Sequence, residues 1–158
     1  MSRQYDDVKT RIKIHEGFKD KPYKLSYTVL DDKGQSNKVT EDFETGGYGH
    51  RMIAGEELPK TENGETNWEQ VFDNDFNKAL EGAGSLLDEK TTNSQAFGII
   101  TEMCYQMGAG GVAKFKNCLQ AIREGDYEQA SIEMMDSRWA KQTPERASKM
   151  AAEMHDLG

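Results

Sequence analysis

Residues 22–45 read PYKLSYTVLDDKGQSNKVTEDFET, and this stretch decides the fold class. PYKLSYTVL (22–30) is rich in aromatic and β-branched residues, DDKGQ (31–35) has the composition of a turn, and KVTEDFET (38–45) returns to strand-forming residues. Two such runs flanking a turn predict a long β-hairpin. TGGYGH (45–50) follows, with three glycines where the chain must turn tightly or approach a ligand closely. Residues 54–65 (AGEELPKTENGE) have loop composition.

On both sides of the hairpin the pattern is helical. Tyr5, Val8 and Ile12 stand at helical spacing, and Gly17 is a stop just past Glu16, so the spacing predicts a short helix over 4–16. Thr66 and Glu69 form a candidate capping box before WEQVFDNDFNKAL, in which Trp68, Phe72, Phe76 and Leu80 make one stripe. SQAFGIITEMCYQM (94–107) is apolar on nearly every side, as a central buried helix is. Gly108, Gly110 and Gly111 are expected to end it. Asn117 opens a further helix closed by Gly125, and Tyr127, Ala130 and Met134 mark the next. Thr143-Pro144 starts a last helix carrying Ala147, Met150, Ala151 and Met154. Strands gathered at one end of a helical chain make the fold α+β: a small N-terminal antiparallel sheet lobe with an enlarged hairpin, and a mainly helical C-terminal lobe. The expectation is a single domain over 1–158, with the sheet lobe at about 17–65 and a helical lobe made of about 66–158 together with the N-terminal helix 4–16. A cleft between the lobes is the natural ligand site.

The bulk properties exclude several function classes. A net charge of -8, from 20 basic and 28 acidic residues, repels nucleic acid and anionic membrane, and offers no electrostatic capture of an anionic wall polymer. The two cysteines, Cys104 and Cys118, belong to no CxxC pair or ligand cluster and read as buried free thiols. The opening MSRQYDDVKT has no apolar signal region, and no run approaches the roughly 20 apolar residues of a membrane span. The expectation is a protein made in a host cytoplasm that acts on the cell wall after release. No metal or cofactor is implied.

The chain resembles the T-even phage lysozymes, the muramidase-type endolysins. YQMGAGGVAKFKNCL and SRWAKQTPERA carry the resemblance in the C-terminal half; HEGF (15–18), PY (22–23), TGGYGH (45–50) and FDND (72–75) carry it in the N-terminal half. It implies a lysozyme-like fold and cleavage of peptidoglycan glycan strands by a monomer, either free or part of a virion. It also implies roles. Glu16 matches the catalytic acid and Thr45 the threonine facing the scissile bond. His50 and Asp75 match a pair that pins the sheet lobe to the long helix. Arg146 matches an arginine that reaches the catalytic glutamate. Tyr105 and Gln106 match cleft-lining residues, and Cys118 stands where the family has a serine contacting the sugar.

One position departs from the pattern. The family carries an aspartate, sometimes a cysteine, nine residues after the glutamate, and here that residue is Leu25. The gap to Thr45 is longer as well, with the extra residues inside the predicted hairpin. Glycoside hydrolysis needs a proton donor and a second group for the water or the cation-like sugar. Glu16 at a helix C-terminus suits the donor, because the negative dipole end disfavours its charged form. Thr45 can position a water or bond the sugar. The second group could be Glu41, which shares the parity of Thr45 on a regular strand. Glu44 or Asp42 would need a bulge, and Asp31 or Asp32 would need the hairpin to fold over the cleft. Three readings stay open: hydrolysis, transglycosylase-type cleavage by Glu16 alone with attack by the substrate's own hydroxyl, or an inactive wall-binding module.

Overall fold

The computed structural model describes the chain from Tyr5 to Gly158, apart from the side chains of Leu25, Glu41 and Asp42. In chain order the elements are α1 (Asp6–Glu16), β1 (Lys19–Leu30), β2 (Ser36–Gly47), β3 (His50–Arg51), α2 (Trp68–Leu86), α3 (Ser94–Ala113), α4 (Lys116–Arg123), α5 (Tyr127–Met135), α6 (Arg138–Gln142) and α7 (Pro144–His155). This is the α+β arrangement expected, a small antiparallel sheet followed by helices. The chain divides into two compact units, Glu16–Asp75 and Met1–His15 with Phe76–Gly158. The divisions thus fall inside α1 and α2, so the first turns of α2 belong with the sheet.

In the unit Glu16–Asp75 the sheet is antiparallel in the order β1-β2-β3. Asp31 organises the hairpin tip: its Oδ1 accepts from the backbone amides of Lys33 (2.9 Å) and Gln35 (2.8 Å). The Gln35 amide is the main reason its carboxyl is held below the ordinary aspartate range. Asp31 is therefore a turn-forming residue.

The hairpin is not regular. Lys19 pairs with Gly47 and Tyr23 with Thr45, so residues 20–22, including Pro22, lie across from Gly46. Lys24 pairs with Glu44 and Ser26 with Thr40, so residues 41–43 lie across from Leu25. Proline sits in the first irregularity because it cannot donate to a ladder. The second places Glu41 within an irregular stretch of β2, not on a regular strand.

α2 is capped one residue later than expected. Thr66 is held in a bridge with Lys60, so its backbone is still extended. Asn67 caps the helix instead, its Oδ1 accepting from the Gln70 amide at 3.1 Å. The first helical residue, Trp68, explains the glycine pair in TGGYGH. A β-carbon on Gly46 would lie 2.7 Å from Trp68 Cη2, and the indole N–H donates to the Asp20 carbonyl at 3.2 Å. Tyr48 completes the packing, with its ring edge on Phe72 at 5.5 Å and its hydroxyl donating to Glu69 at 2.9 Å.

The second unit is built on α3. Asn93 caps it, accepting from the amides of Gln95 and Ala96. All residues from Ala96 to Cys104 are buried, with Phe97, Ile100, Met103, Met134, Met150 and Met154 at the centre of the core. The helix breaks at Gly108 (φ 80°, ψ 157°) but resumes to Ala113, so the glycine run kinks it rather than ending it. α4 starts at Lys116, ahead of the expected Asn117, without a side-chain cap. The short helix α6 was not legible in the sequence; Ser137 Oγ caps it by accepting from the Ala140 amide. Thr143 does not cap α7, because its hydroxyl donates to the Trp139 carbonyl at 3.0 Å. Cys104 and Cys118 are free and buried. No helix among the described residues is long and apolar enough to cross a membrane.

Candidate active site

Glu16 is the last residue of α1, where Gly17 stops the helix. The side chain is half-buried and lies against the tight turn between β2 and β3. A β-carbon on Gly49 would collide with the Glu16 carboxylate. Gly49 also has a φ of +79°, a region that costs any other L-residue conformational energy. The last glycine of TGGYGH is therefore doubly constrained, and what approaches it closely is the carboxylate singled out from the sequence.

Thr45 is buried, 6% exposed, on β2. It pairs with Tyr23 on one side and with Arg51 on the other. Directly paired residues of an antiparallel sheet share a face, so a tyrosine and an arginine flank the threonine. The Arg51 guanidinium covers the Phe43 ring at 3.9 Å. Glu44 belongs to the opposite face, paired with Lys24. The side chains of Glu41, Asp42 and Leu25 lie outside the described residues.

His50 and Asp75 form the pair expected of them, Nδ1 to Oδ2 at 2.6 Å. Glu56 adds a second carboxylate at 3.1 Å from Nε2, which the sequence reading missed. The Asp75 hydrogen bond is the largest influence on the ring and raises its pKa above the ordinary histidine value, against the opposing effect of burial.

In the helical unit, Arg146 bears on Glu102. Its Nε donates to Glu102 Oε2 at 3.1 Å. Arg11 Nε donates to Oε1 of the same carboxylate at 2.7 Å, and His15 Nδ1 lies 2.6 Å from Oε2. Glu102 is 0% exposed. The sequence signal was present, a lone acid within the apolar run 94–107, but the surrounding hydrophobic residues masked it.

Gln106 and Cys118 line a groove of 830 Å³ with Phe115, Glu133, Arg138 and Trp139. The Gln106 carbonyl accepts from the Trp139 indole at 2.8 Å, so its orientation is fixed. Cys118 is 1% exposed. Burial, then the Glu133 charge, pushes its thiol up to about 12, so it is neutral and only a weak donor. Tyr105 packs half-buried against the core beside them.

Residues 13–152 match the phage lysozyme family. The chain belongs to that family. A probable T4-type lysozyme 2 of Dictyostelium discoideum is 28% identical over 163 aligned positions, covering 90% of each chain. A peptidoglycan hydrolase, gp36, of Pseudomonas phage phiKMV is 30% identical over 124 positions, 77% of this chain but 14% of its own length. The pre-baseplate central spike protein Gp5 of Enterobacteria phage T4 is 47% identical over 51 positions, 32% of this chain and 9% of the spike.

Proposed function

We propose that this protein is a glycosidase of bacterial peptidoglycan, a muramidase serving phage-mediated lysis of the host wall, with Glu16 as the general acid. The observation that carries the reading is the Glu16 carboxylate seated against Gly49, at the end of a helix and on the turn that follows Thr45. In this role Glu16 protonates the leaving glycosidic oxygen. Thr45 holds a water or a sugar hydroxyl through its own hydroxyl. Tyr105, Gln106 and Cys118 take the substrate's flanking groups, Gln106 through the amide hydrogens that the Trp139 contact leaves directed away from the indole. His50 and Asp75 hold the β3 turn. Family membership and the name of the phiKMV relative support peptidoglycan as the substrate. The spike relative supports a virion-borne alternative to a free enzyme.

Glu16→Gln tests the reading. Turbidity clearing of purified sacculi should fall at least a thousandfold while the fold is kept, and equal clearing by both proteins would overturn it. Binding to sacculi with no soluble fragments released by the wild type would instead establish a binding module.

A second reading, transglycosylase-type cleavage, is favoured by one feature: Glu44 faces away from Thr45 and Leu25 cannot accept a proton. In that reaction the substrate's own hydroxyl attacks and the product ends in an anhydro sugar. Mass spectrometry of the released glycans separates the two, since a hydrated reducing end belongs to hydrolysis.

A further inference from the structure

Burying a carboxylate costs several kcal/mol, and a hydrophobic residue of similar size commonly serves stability as well as a buried ion cluster does. Glu102 is nonetheless wholly buried in α3, with Arg11 and His15 of α1 and Arg146 of α7 gathered on its two oxygens. Arg11 and His15 are four residues apart and so lie on one face of α1. They divide the carboxylate between them, Arg11 on Oε1 and His15 on Oε2. A grip at two points fixes both the rotation of a helix and its position along the axis. The next residue after His15 is Glu16, and α1 ends there.

The consequence is mechanical. For a carboxyl roughly 6 Å from the helix axis, a turn of about 10° moves it by about 1 Å. A misplacement of about that size can cost about a hundredfold in rate. From this geometry we infer that Glu102 is a positioning residue for the reaction, setting Glu16 through the last turn of α1. The inference rests on the reading of Glu16 as the acid. Glu102 touches no substrate; its influence passes through Arg11, His15 and the helix they belong to. Among the described residues, the charged groups beside this cluster include Glu153, which accepts from Arg11 Nη1 at 2.9 Å, and Asp6, Asp7 and Lys149, which line a shallow pocket with Arg11 and His15.

Glu102→Gln keeps the shape and removes the charge. Its amide cannot accept at both ends, so one of the two grips on α1 is lost. With soluble glycan strands as substrate, kcat should fall tenfold or more while KM stays within twofold. The alkaline limb of the kcat pH profile should move to lower pH, because the Arg11 and Arg146 guanidiniums remain without the Glu102 charge that they bond. Glu102→Asp, which keeps the charge, should restore the position of that limb. Leu87→Ala, a core variant outside the cluster, supplies matched destabilisation and should leave both kcat and the profile unchanged. Should Glu102→Gln fail to fold, His15→Gln removes one grip alone and should show the same kcat loss at unchanged KM. Wild-type kcat and pH profile in a folded Glu102→Gln would overturn the inference, as would an equal kcat loss in Leu87→Ala. Glu16→Gln, run alongside, separates the two ideas: activity there overturns the acid assignment itself, whereas inactivity there with a normal Glu102→Gln overturns only the positioning role.

Discussion

Gly49 is the residue on which the site is most tightly specified. A methyl group there meets both the Glu16 carboxylate and a backbone φ of +79°. The conformational part of that cost is about 1–2 kcal/mol. Gly64 provides the comparison, with φ +82° and nothing within 4 Å of a β-carbon. Gly49→Ala and Gly64→Ala should therefore lose similar stability in denaturant titrations. Only Gly49→Ala should also lose wall-clearing activity, by tenfold or more, because only there is the carboxylate displaced. Equal activity in the two variants would mean that the Gly49 turn does not set the position of Glu16. At this scale the sequence was informative about Glu16, Thr45, His50 and Asp75, which sit in recognisable local motifs. It held only a masked signal for Glu102 and none for Glu56, because the value of each lies in partners tens of residues distant or on another element.

Elements were legible where local rules decide them. The hairpin, the stripe Trp68, Phe72, Phe76, Leu80 and the buried α3 all follow from side-chain period and turn chemistry. Their ends were less so. Thr66 has every attribute of an N-cap, yet the bridge to Lys60 claims its backbone and passes the role to Asn67. Asn67→Ala should thus cost about 1 kcal/mol, whereas Thr66→Ala should stay within about 0.5 kcal/mol of wild type by thermal melting. A larger loss for Thr66→Ala would return the cap to the sequence-predicted residue. Thr143 shows the same competition, its hydroxyl taken by the Trp139 carbonyl. The β2 bulge at 41–43 has no signature in residue type; it is a property of how two strands of unequal local length are paired.

Over the whole molecule, the described residues of this acidic chain include two histidine–carboxylate sites with buried members, one in each unit. His50, between Asp75 and Glu56, makes stability depend on pH with a definite sign. Its folded pKa is raised above the unfolded value of about 6.5, so the folded state holds the proton more tightly. The stabilisation is complete below pH of about 6.5 and is lost as pH rises through the elevated folded value. Melting temperatures of the wild type should fall over that window relative to those of His50→Asn. Parallel curves for the two proteins would show that the pair contributes no pH dependence.

The amino-acid sequence by itself determined the α+β class, the helix that ends at Glu16, the hairpin and the glycine turn, because period, turn residues and helix stops act within a few residues of chain. Only the tertiary structure decided which side chains those glycines admit: Trp68 at Gly46 and Glu16 at Gly49. It alone decided that Glu44 turns away from Thr45 and that Glu102 collects Arg11, His15 and Arg146. The physical reason is the same in each case. Local propensity acts along the chain, whereas a collision, a strand register and a buried charge are settled by groups that meet only after the chain has folded.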